Sequence, residues 1–267
     1  SLDCGLEEAA QGILKIADST MERALRVISV EKGYDPSGFS LVAFGGAGGL
    51  HAASLADRLG AAKAIIPPMP GLLSAYGILS ADITRETSKT VLIPSSRAEA
   101  QQDINTIFLG LEKAITNEME SEGINRGSLI LERWVEARYE GQSFELRVPG
   151  ASWVSTFHTL HEERYGYQLS DQPVLAVTLR SVASAPGPEF ELNRLQESSN
   201  SPKSTLTRVF LDGQWTEVKR IQRENLSPGY ELPGPLVITE YSSTTWIPPN
   251  YSVMIDQWGS LHLTRFQ

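Results

Sequence analysis

The sequence is poor in cysteine and in clustered positive charge. One cysteine, Cys4, among 267 residues leaves no partner for an intrachain disulfide, and the cytoplasm is therefore the expected compartment. Lys and Arg number 23 against 32 Asp and Glu, which gives a net charge of -9, and no basic run is visible. Because such a surface repels phosphates and anionic lipid, we expect no nucleic-acid partner and no membrane partner.

Long apolar runs are also missing. The longest run, near residues 72–83, is interrupted by Ser, Gly and Asp, so it falls short of the roughly 20 residues that cross a bilayer. The first residues contain no basic segment followed by an apolar core, and we expect no secretory signal. What the chain does have is 41% hydrophobic residues, which is enough for one large or two ordinary domains.

The first half of the chain alternates helix and strand signals. Apolar residues at helical spacing across residues 6–30 predict a long helix with one continuous buried face. A short apolar run at 39–44 ends in glycines and predicts a buried strand, and a helix at 50–59 and a strand at 64–66 follow. A strand–helix–strand unit of this kind implies parallel strands with helices on the faces of the sheet.

Helical signals continue to about residue 125. Residues 71–81 are rich in small side chains and predict a short buried helix, and residues 104–119 carry a strongly periodic apolar stripe. We place the domain boundary after this second helix, with one domain at 1–125 and the other at 126–267.

Strand signals dominate beyond that boundary. Residues 129–148 predict a hairpin, and a helix is expected at 155–165. Residues 186–204 are rich in Ser, Asn, Glu and Pro, which is typical of a linker. Short strands after it, beginning with a hairpin around Asp212-Gly213, predict a small β-sandwich or barrel. The expected fold class is α/β followed by a mixed α+β, β-rich C-terminal domain.

The most informative string runs from Phe44 to Ala52 and reads FGGAGGLHA, between a predicted strand and a predicted helix. Backbone N–H groups at such a junction are free to bind a ligand, and glycine lets a flat base or a phosphate approach the backbone. The alternative is a tight turn that needs glycine only for its own geometry. The candidate nucleotide-binding residues are Gly45, Gly46, Ala47, Gly48, Gly49 and His51.

Two common nucleotide motifs do not fit this string. A P-loop requires Lys followed by Ser or Thr after the glycines, and neither pair is present. The dinucleotide fingerprint fails because His51 stands where its third glycine belongs, and the next strand ends at Pro67 without an acidic residue for a ribose. His51 could cap the helix, contact nucleotide or pack, and a structural role is the preferred interpretation.

No other residues predict a catalytic or metal site. His158 and His161 lie on one face of a predicted helix at a spacing that metals can use, but no cysteine or carboxylate cluster accompanies them. A solvated helix face is the preferred interpretation. The GxSxG and HExxH signatures are absent, and the hydroxyl-rich segment from Ser242 to Trp246 is interpreted as structural. Catalytic residues stay unassigned, and we predict no metal ligands.

Several segments resemble one family. The string LVAFGGAGGLHA is similar to the adenosine motif of actin-like ATPases and, in detail, to that of the hydantoinase/5-oxoprolinase family; acetone carboxylase subunits share the pattern. The segment TEVKRIQREN departs from the family because it lacks the usual proline and tyrosine, which leaves any role of Arg220 or Arg223 open. Gly49 replaces a proline common in hydantoinases. The other matching segments, in family order, are EEAAQGILKIADSTMERALRVISVEKGYDP, IIPPMPGLLSAYGILSADI, RYEGQSFEL, HEERYGYQL and GPLVITEYSSTTWIPPN.

The resemblance implies a two-lobed ATPase that binds ATP, with Mg²⁺, between its lobes. It implies that this chain is the C-terminal part of the enzyme and that the phosphate-gripping hairpins and a catalytic carboxylate belong to an upstream lobe of the same chain. The parent would open a cyclic amide such as a hydantoin or 5-oxoproline ring, with a second hydantoinase-type subunit as a candidate partner. This chain would contribute the adenosine pocket.

Two alternatives remain open. The first is a non-catalytic assembly module, in which the glycine turn is structural and the five tryptophans serve an interface. The second is a subunit of an ATP-dependent ketone carboxylase. The sequence does not choose between a ring amide and a ketone.

Overall fold

A computed structural model describes residues 5–188, 193–196 and 201–266. Cys4 and part of the predicted linker lie outside the described residues. The chain divides into two compact units, one spanning residues 1–78 and 190–267 and the other spanning residues 79–189. The expected boundary at residue 125 does not coincide with this division, because strands near the C-terminus pair with strands near the start of the chain.

The first unit opens with the predicted helix and strand signals. Its elements are α1 (Leu6–Ile28), β1 (Ser40–Val42), α2 (Gly48–Leu59) and β2 (Lys63–Ile66), and α3 (Leu73–Ser80) follows them. β1 and β2 are parallel, which confirms the strand–helix–strand prediction. α2 ends at Gly60, which adopts a left-handed conformation at φ 69° and closes the helix without the strain that a side chain would add.

The C-terminal strands of the first unit belong to two sheets. They are β7 (Ser204–Leu211), β8 (Gln214–Gln222), β9 (Glu231–Pro233), β10 (Leu236–Glu240), β11 (Ser243–Ile247), β12 (Tyr251–Ile255) and β13 (Leu261–Arg265). One sheet has the order β1-β2-β13-β12-β9, and the other has the order β11-β10-β8-β7. The expected small sandwich or barrel is therefore not a separate body, since β13 pairs with β2 and continues the sheet that β1 begins.

One apolar core holds these sheets and α2 together. Ala52, Ala53 and Ala56 form the buried face of α2, and these small side chains let the helix lie close to the strands. The sheets contribute larger aliphatic side chains, among them Ile66, Ile238, Ile247, Val253 and Leu263.

Three predictions of burial are wrong within the described residues, namely those for α1, β1 and α3. No residue of α3 is buried, and its Ile78 is 78% exposed. Ile13 and Ile28, at the two ends of the predicted buried face of α1, are 66% and 60% exposed, and the buried residue of that helix is the charged Asp18. β1 is the edge strand of its sheet, and Val42 is half exposed. The apolar stripe of α1 meets only part of α2, so the periodicity correctly predicted a helix but not its burial.

The second unit is an antiparallel sheet with the order β3-β6-β4-β5, packed against two helices. Its elements are β3 (Ile83–Pro94), α4 (Ala100–Ser121), β4 (Ile130–Tyr139), β5 (Leu146–Pro149), α5 (Trp153–Tyr165) and β6 (Val174–Ala185). Phe108 of α4 and Phe157 of α5 pack in the core with Val135 and Leu179 of the sheet. The sequence analysis predicted α4, α5 and the hairpin of β4 and β5, but it did not predict β3, whose first half is almost wholly polar. The mixed α/β fold class is confirmed.

Across the described ranges, no helix combines the length and apolar character that a membrane span requires.

Candidate functional site

The glycine turn, residues 45–49, joins β1 to α2. Gly45 adopts φ 89°, a conformation that favours glycine. Ala47 is the N-cap of α2 and provides no side-chain cap. Within the described residues, the N–H groups of Gly46, Ala47 and Gly48 have no hydrogen-bond acceptor. These donors stand at the positive end of α2, where an electronegative ligand atom is stabilised by the N–H groups and by the helix dipole.

Neighbouring segments hold the turn through its backbone. The N–H of Gly45 donates to the carbonyl of Pro70 at 2.7 Å, and the N–H of Thr244 donates to the carbonyl of Gly46 at 3.3 Å. The Ser243 hydroxyl donates to the Gly45 carbonyl at 3.4 Å. The hydroxyl-rich segment, which the sequence analysis interpreted as structural, therefore holds the glycine turn by hydrogen bonds to the carbonyls of Gly45 and Gly46.

The glycines of the turn differ in what they are needed for. A Cβ at Gly49 would lie 2.5 Å from Oγ1 of Thr245, and one at Gly46 would lie 3.2 Å from the carbonyl oxygen of Ser242. A Cβ at Gly48 would meet its nearest neighbour at 3.6 Å, an ordinary contact. Residue 49 must therefore be glycine for α2 to pack against β11. At position 48, by contrast, the described structure leaves room for a side chain.

His51 lies in the first turn of α2 and contacts α1. Its Nδ1 is 2.6 Å from Oδ1 of Asp18, and the Ser54 hydroxyl donates to Oδ2 of Asp18 at 2.6 Å. An ionised carboxylate only accepts hydrogen bonds, so Nδ1 carries a proton. In the part of the chain that the structure describes, Nε2 of His51 has no partner. Sequence reasoning missed Asp18, although a charged residue on an apolar helix stripe is a signal for a buried polar partner.

The two histidines of α5 do not lie on a solvated face, and that prediction is wrong. His161 is 1% exposed; its Nδ1 donates to the carbonyl of Tyr167 at 2.8 Å, and its Nε2 accepts from the side-chain amide of Gln142 at 3.1 Å. His158 Nδ1 is 2.6 Å from the hydroxyl of Tyr139. Among the described residues, no group of three or more His, Cys, Asp or Glu could hold a metal ion.

The two arginines with open roles have different environments. Arg223 is nearly buried; Nη1 donates to Glu240 at 2.7 Å, and Nη2 donates to the carbonyls of Ile66 and Gly259, each at 2.9 Å. Arg220 is exposed. Arg223 therefore ties β2, β10 and the turn before β13 together.

The fold and the turn define an α/β protein with a glycine-rich strand-to-helix junction. The family profile described as Hydantoinase/oxoprolinase matches residues 1–87, and the profile of the Hydantoinase/oxoprolinase C-terminal domain matches residues 165–266. The first match contains the glycine turn, and the second contains the hairpin that supports it. The chain belongs to the hydantoinase/oxoprolinase family.

Curated relatives align with nearly the whole chain. An uncharacterized protein of Methanocaldococcus jannaschii is 33% identical over 97% of this chain and 38% of its own length. The 5-oxoprolinase 1 of Arabidopsis thaliana is 25% identical over 98% of this chain and 21% of its own length. The caprolactamase subunit alpha of Pseudomonas jessenii is 27% identical over 98% of this chain and 40% of its own length. The chain thus spans less than half the length of these relatives.

A solved structure has the same fold. A nucleotide-free acetone carboxylase structure, from work on ATP-dependent acetone carboxylation, matches with a TM-score of 0.86 at 22% identity, over 99% of this chain and 41% of that chain. At this identity the match establishes the fold alone.

Proposed function

We propose that this chain is the adenosine-binding part of an ATP-dependent hydrolase that opens a cyclic amide, such as a hydantoin or 5-oxoproline ring. The observation that carries the proposal is the set of three N–H groups, at Gly46, Ala47 and Gly48, that have no acceptor within the described residues. The family supports it, since named relatives include a 5-oxoprolinase and a caprolactamase subunit.

The turn fits an adenosine group in shape as well as in hydrogen bonding. Gly46 and Ala47 are exposed, and little or no side chain stands between their backbone and a ligand. Phe44 and Leu50, which flank the turn, are 52% and 42% exposed and supply apolar surface for the face of a base. Polar edges of a base or ribose would then bind the backbone N–H groups.

ATP solves a chemical problem for such an enzyme. An amide resists hydrolysis because resonance stabilises it, and transfer of a phosphoryl group to the carbonyl oxygen makes the carbon a far better electrophile. In this proposal the phosphates and the accompanying Mg²⁺ are handled by the upstream lobe of an actin-like ATPase domain in the same chain. A second hydantoinase-type subunit is the proposed protein partner, and the cytoplasm is the proposed compartment.

Ala47 offers a direct test, made in the full-length protein that the gene encodes. Ala47→Asp places a carboxylate beside the free N–H groups, and Ala47→Asn is its neutral control of equal size. We expect Ala47→Asp to weaken ATP binding at least tenfold in calorimetric titration and Ala47→Asn to weaken it less. An acidic residue at a helix N-terminus is favourable by about 0.3–1 kcal/mol, so thermal stability should be kept. Wild-type affinity in folded Ala47→Asp would overturn the proposal and favour the assembly module.

The substrate class needs a second assay. ATP-dependent ring opening of hydantoin or 5-oxoproline supports the proposed hydrolase. Consumption of a ketone that requires bicarbonate and ATP would instead support the carboxylase alternative, whose basis is the resemblance of the glycine-rich string to the pattern of acetone carboxylase subunits.

A further inference from the structure

We infer that Asp18 is a positioning residue for nucleotide binding: it holds the ring of His51 so that Nε2 accepts a hydrogen bond from a donor group of the adenosine half of the nucleotide. The inference deepens the proposed function and rests on it, because it takes the glycine turn as the adenosine site. Neither residue is assigned a chemical step.

The contact between Asp18 and His51 is short and shielded. Asp18 is 8% exposed, and its two oxygens have different partners, His51 Nδ1 and the Ser54 hydroxyl, each at 2.6 Å. Both acceptor atoms of the buried carboxylate are therefore used. The carboxylate bridges α1 and α2, and it fixes the rotation of the imidazole as well as the nitrogen that carries the proton.

His51 lies in the same helical turn as the first residues of α2 and the free N–H groups before them. Residues three and four apart share a helix face, so His51 lies on the same face as Gly48 and Ala47. Side chains on a helix lean towards its N-terminus, and that direction leads from His51 to the glycine turn. Residues 46–51 thus combine one acceptor nitrogen, Nε2 of His51, with three backbone N–H groups that have no acceptor in the described structure.

The pairing predicts the chemistry of the bound group. When Nδ1 donates to Asp18, the atom of the ring that can accept a hydrogen bond is Nε2 in its unprotonated form. Adenosine offers two kinds of donor, the 6-amino group of the base and the hydroxyls of the ribose. The backbone N–H groups cannot accept from either, so His51 supplies what the turn lacks.

A double-mutant cycle on the full-length protein tests the inference. The variants are Asp18→Ala, His51→Ala and the double variant, and the measurement is the Kd for ATP. We expect His51→Ala to weaken binding about five- to tenfold, as loss of one hydrogen bond does, and Asp18→Ala to weaken it about threefold or more. In the His51→Ala background, Asp18→Ala should have no further effect, because Asp18 acts through His51.

Conservative variants separate positioning from folding. Asp18→Asn keeps an oxygen that accepts from Nδ1, so affinity should recover to within about threefold of wild type. Ser54→Ala is the matched control: it removes the other hydrogen bond to the same carboxylate and should change affinity less than about twofold.

ITP, which lacks the 6-amino group, and 2′-deoxy-ATP identify the donor, since His51→Ala should abolish the preference for ATP over one of them.

A spectroscopic measurement covers the case in which Asp18→Ala does not fold. The ¹⁵N resonances of His51, assigned by their loss in His51→Ala, should indicate a proton on Nδ1, and addition of ATP should shift Nε2. An unchanged Nε2 resonance would overturn the inference, as would wild-type ATP affinity in His51→Ala or equal losses from Asp18→Ala in both backgrounds. If Ala47→Asp still weakens ATP binding at least tenfold, the proposed function stands and only the role of Asp18 fails.

Discussion

A Cβ atom at Gly49 would lie 2.5 Å from Oγ1 of Thr245 and 2.8 Å from the carbonyl oxygen of Thr244. Real side chains do not approach so closely, so β11 and the start of α2 are in contact only because residue 49 is glycine. The glycine-rich string therefore combines two demands on the sequence. Gly49 is fixed by packing, while Ala47 and Gly48 leave backbone open to a ligand.

We predict that Gly49→Ala lowers the free energy of unfolding by about 1–3 kcal/mol, as overpacking of a filled site does. Gly110→Ala is the control, because Gly110 is an exposed residue within α4 and its Cβ would meet nothing within 4 Å. That change should raise stability by about 0.5–1 kcal/mol. Urea unfolding measures both, and a neutral Gly49→Ala would contradict the packing role.

Local elements were largely predictable from the sequence. α2, α4, α5 and the β7–β8 hairpin each carry a periodic pattern that ends at a glycine or a turn, and all four form where expected. β3 was missed because its first half is polar and gives no period-two signal. The division into units was missed because the pairing of β13 with β2 joins segments almost two hundred residues apart, and local patterns contain no information on such pairing.

The candidate site was only half predictable. The glycines stand out in sequence, but the contact of Asp18 with His51 joins residues on two different helices. The contrast between Gly48 and Gly49 depends on which side of the turn faces β11, and no spacing rule distinguishes adjacent glycines. His161 was mistaken for a surface residue because its partners, Gln142 and the Tyr167 carbonyl, come from loops.

Arg223 and Arg220 allow a matched comparison of a buried and an exposed arginine. Arg223→Ala leaves Glu240 without its cation and removes one donor from each of two carbonyls, and we expect a loss of about 3 kcal/mol in the free energy of unfolding. Arg220→Ala removes an exposed contact with Thr205 and should cost less than about 0.5 kcal/mol. Chemical denaturation of both variants is the test, and similar losses would show that Arg223 is not a structural anchor.

The buried hydroxyl of Tyr139 connects β4 to α5 and to the loop after α5 in the second unit. It accepts from the N–H of Leu169 at 2.8 Å and lies 2.6 Å from Nδ1 of His158. Tyr139→Phe keeps the ring packing but leaves the Leu169 N–H without its acceptor, so we expect a loss of about 1–3 kcal/mol. Tyr241→Phe, at an exposed side chain, should be neutral. Thermal unfolding compares the two variants. Unchanged stability of Tyr139→Phe would show that the hydrogen bonds of this hydroxyl do not stabilise the second unit.

Tyr251 links stability to alkaline pH through its contact with α2. Its hydroxyl donates to Oδ1 of Asp57 at 2.7 Å, and the carbonyl oxygen of Ala53 lies 3.2 Å from the same hydroxyl oxygen. Burial, and then the hydrogen bond to Asp57 and its negative charge, raise the pKa of Tyr251 well above the ordinary 10.0. In the unfolded chain the phenol ionises near its ordinary pKa, while in the folded protein it stays protonated. The stabilisation is therefore complete below pH 10 and is lost as the pH rises further.

Comparison with Tyr251→Phe isolates this contribution from the other tyrosines and lysines. Near neutral pH we expect the wild type to exceed Tyr251→Phe in free energy of unfolding by about 1.5–3 kcal/mol, because the hydroxyl donates to a charged acceptor. Above pH 10 that difference should shrink by up to about 1.4 kcal/mol per pH unit, since the unfolded wild type alone gains the ionised phenol. Urea unfolding between pH 7 and 11 measures the difference directly. A difference that stays constant across pH 10 would mean that the phenol of Tyr251 ionises equally in both states, and the contact with Asp57 would then not hold it protonated.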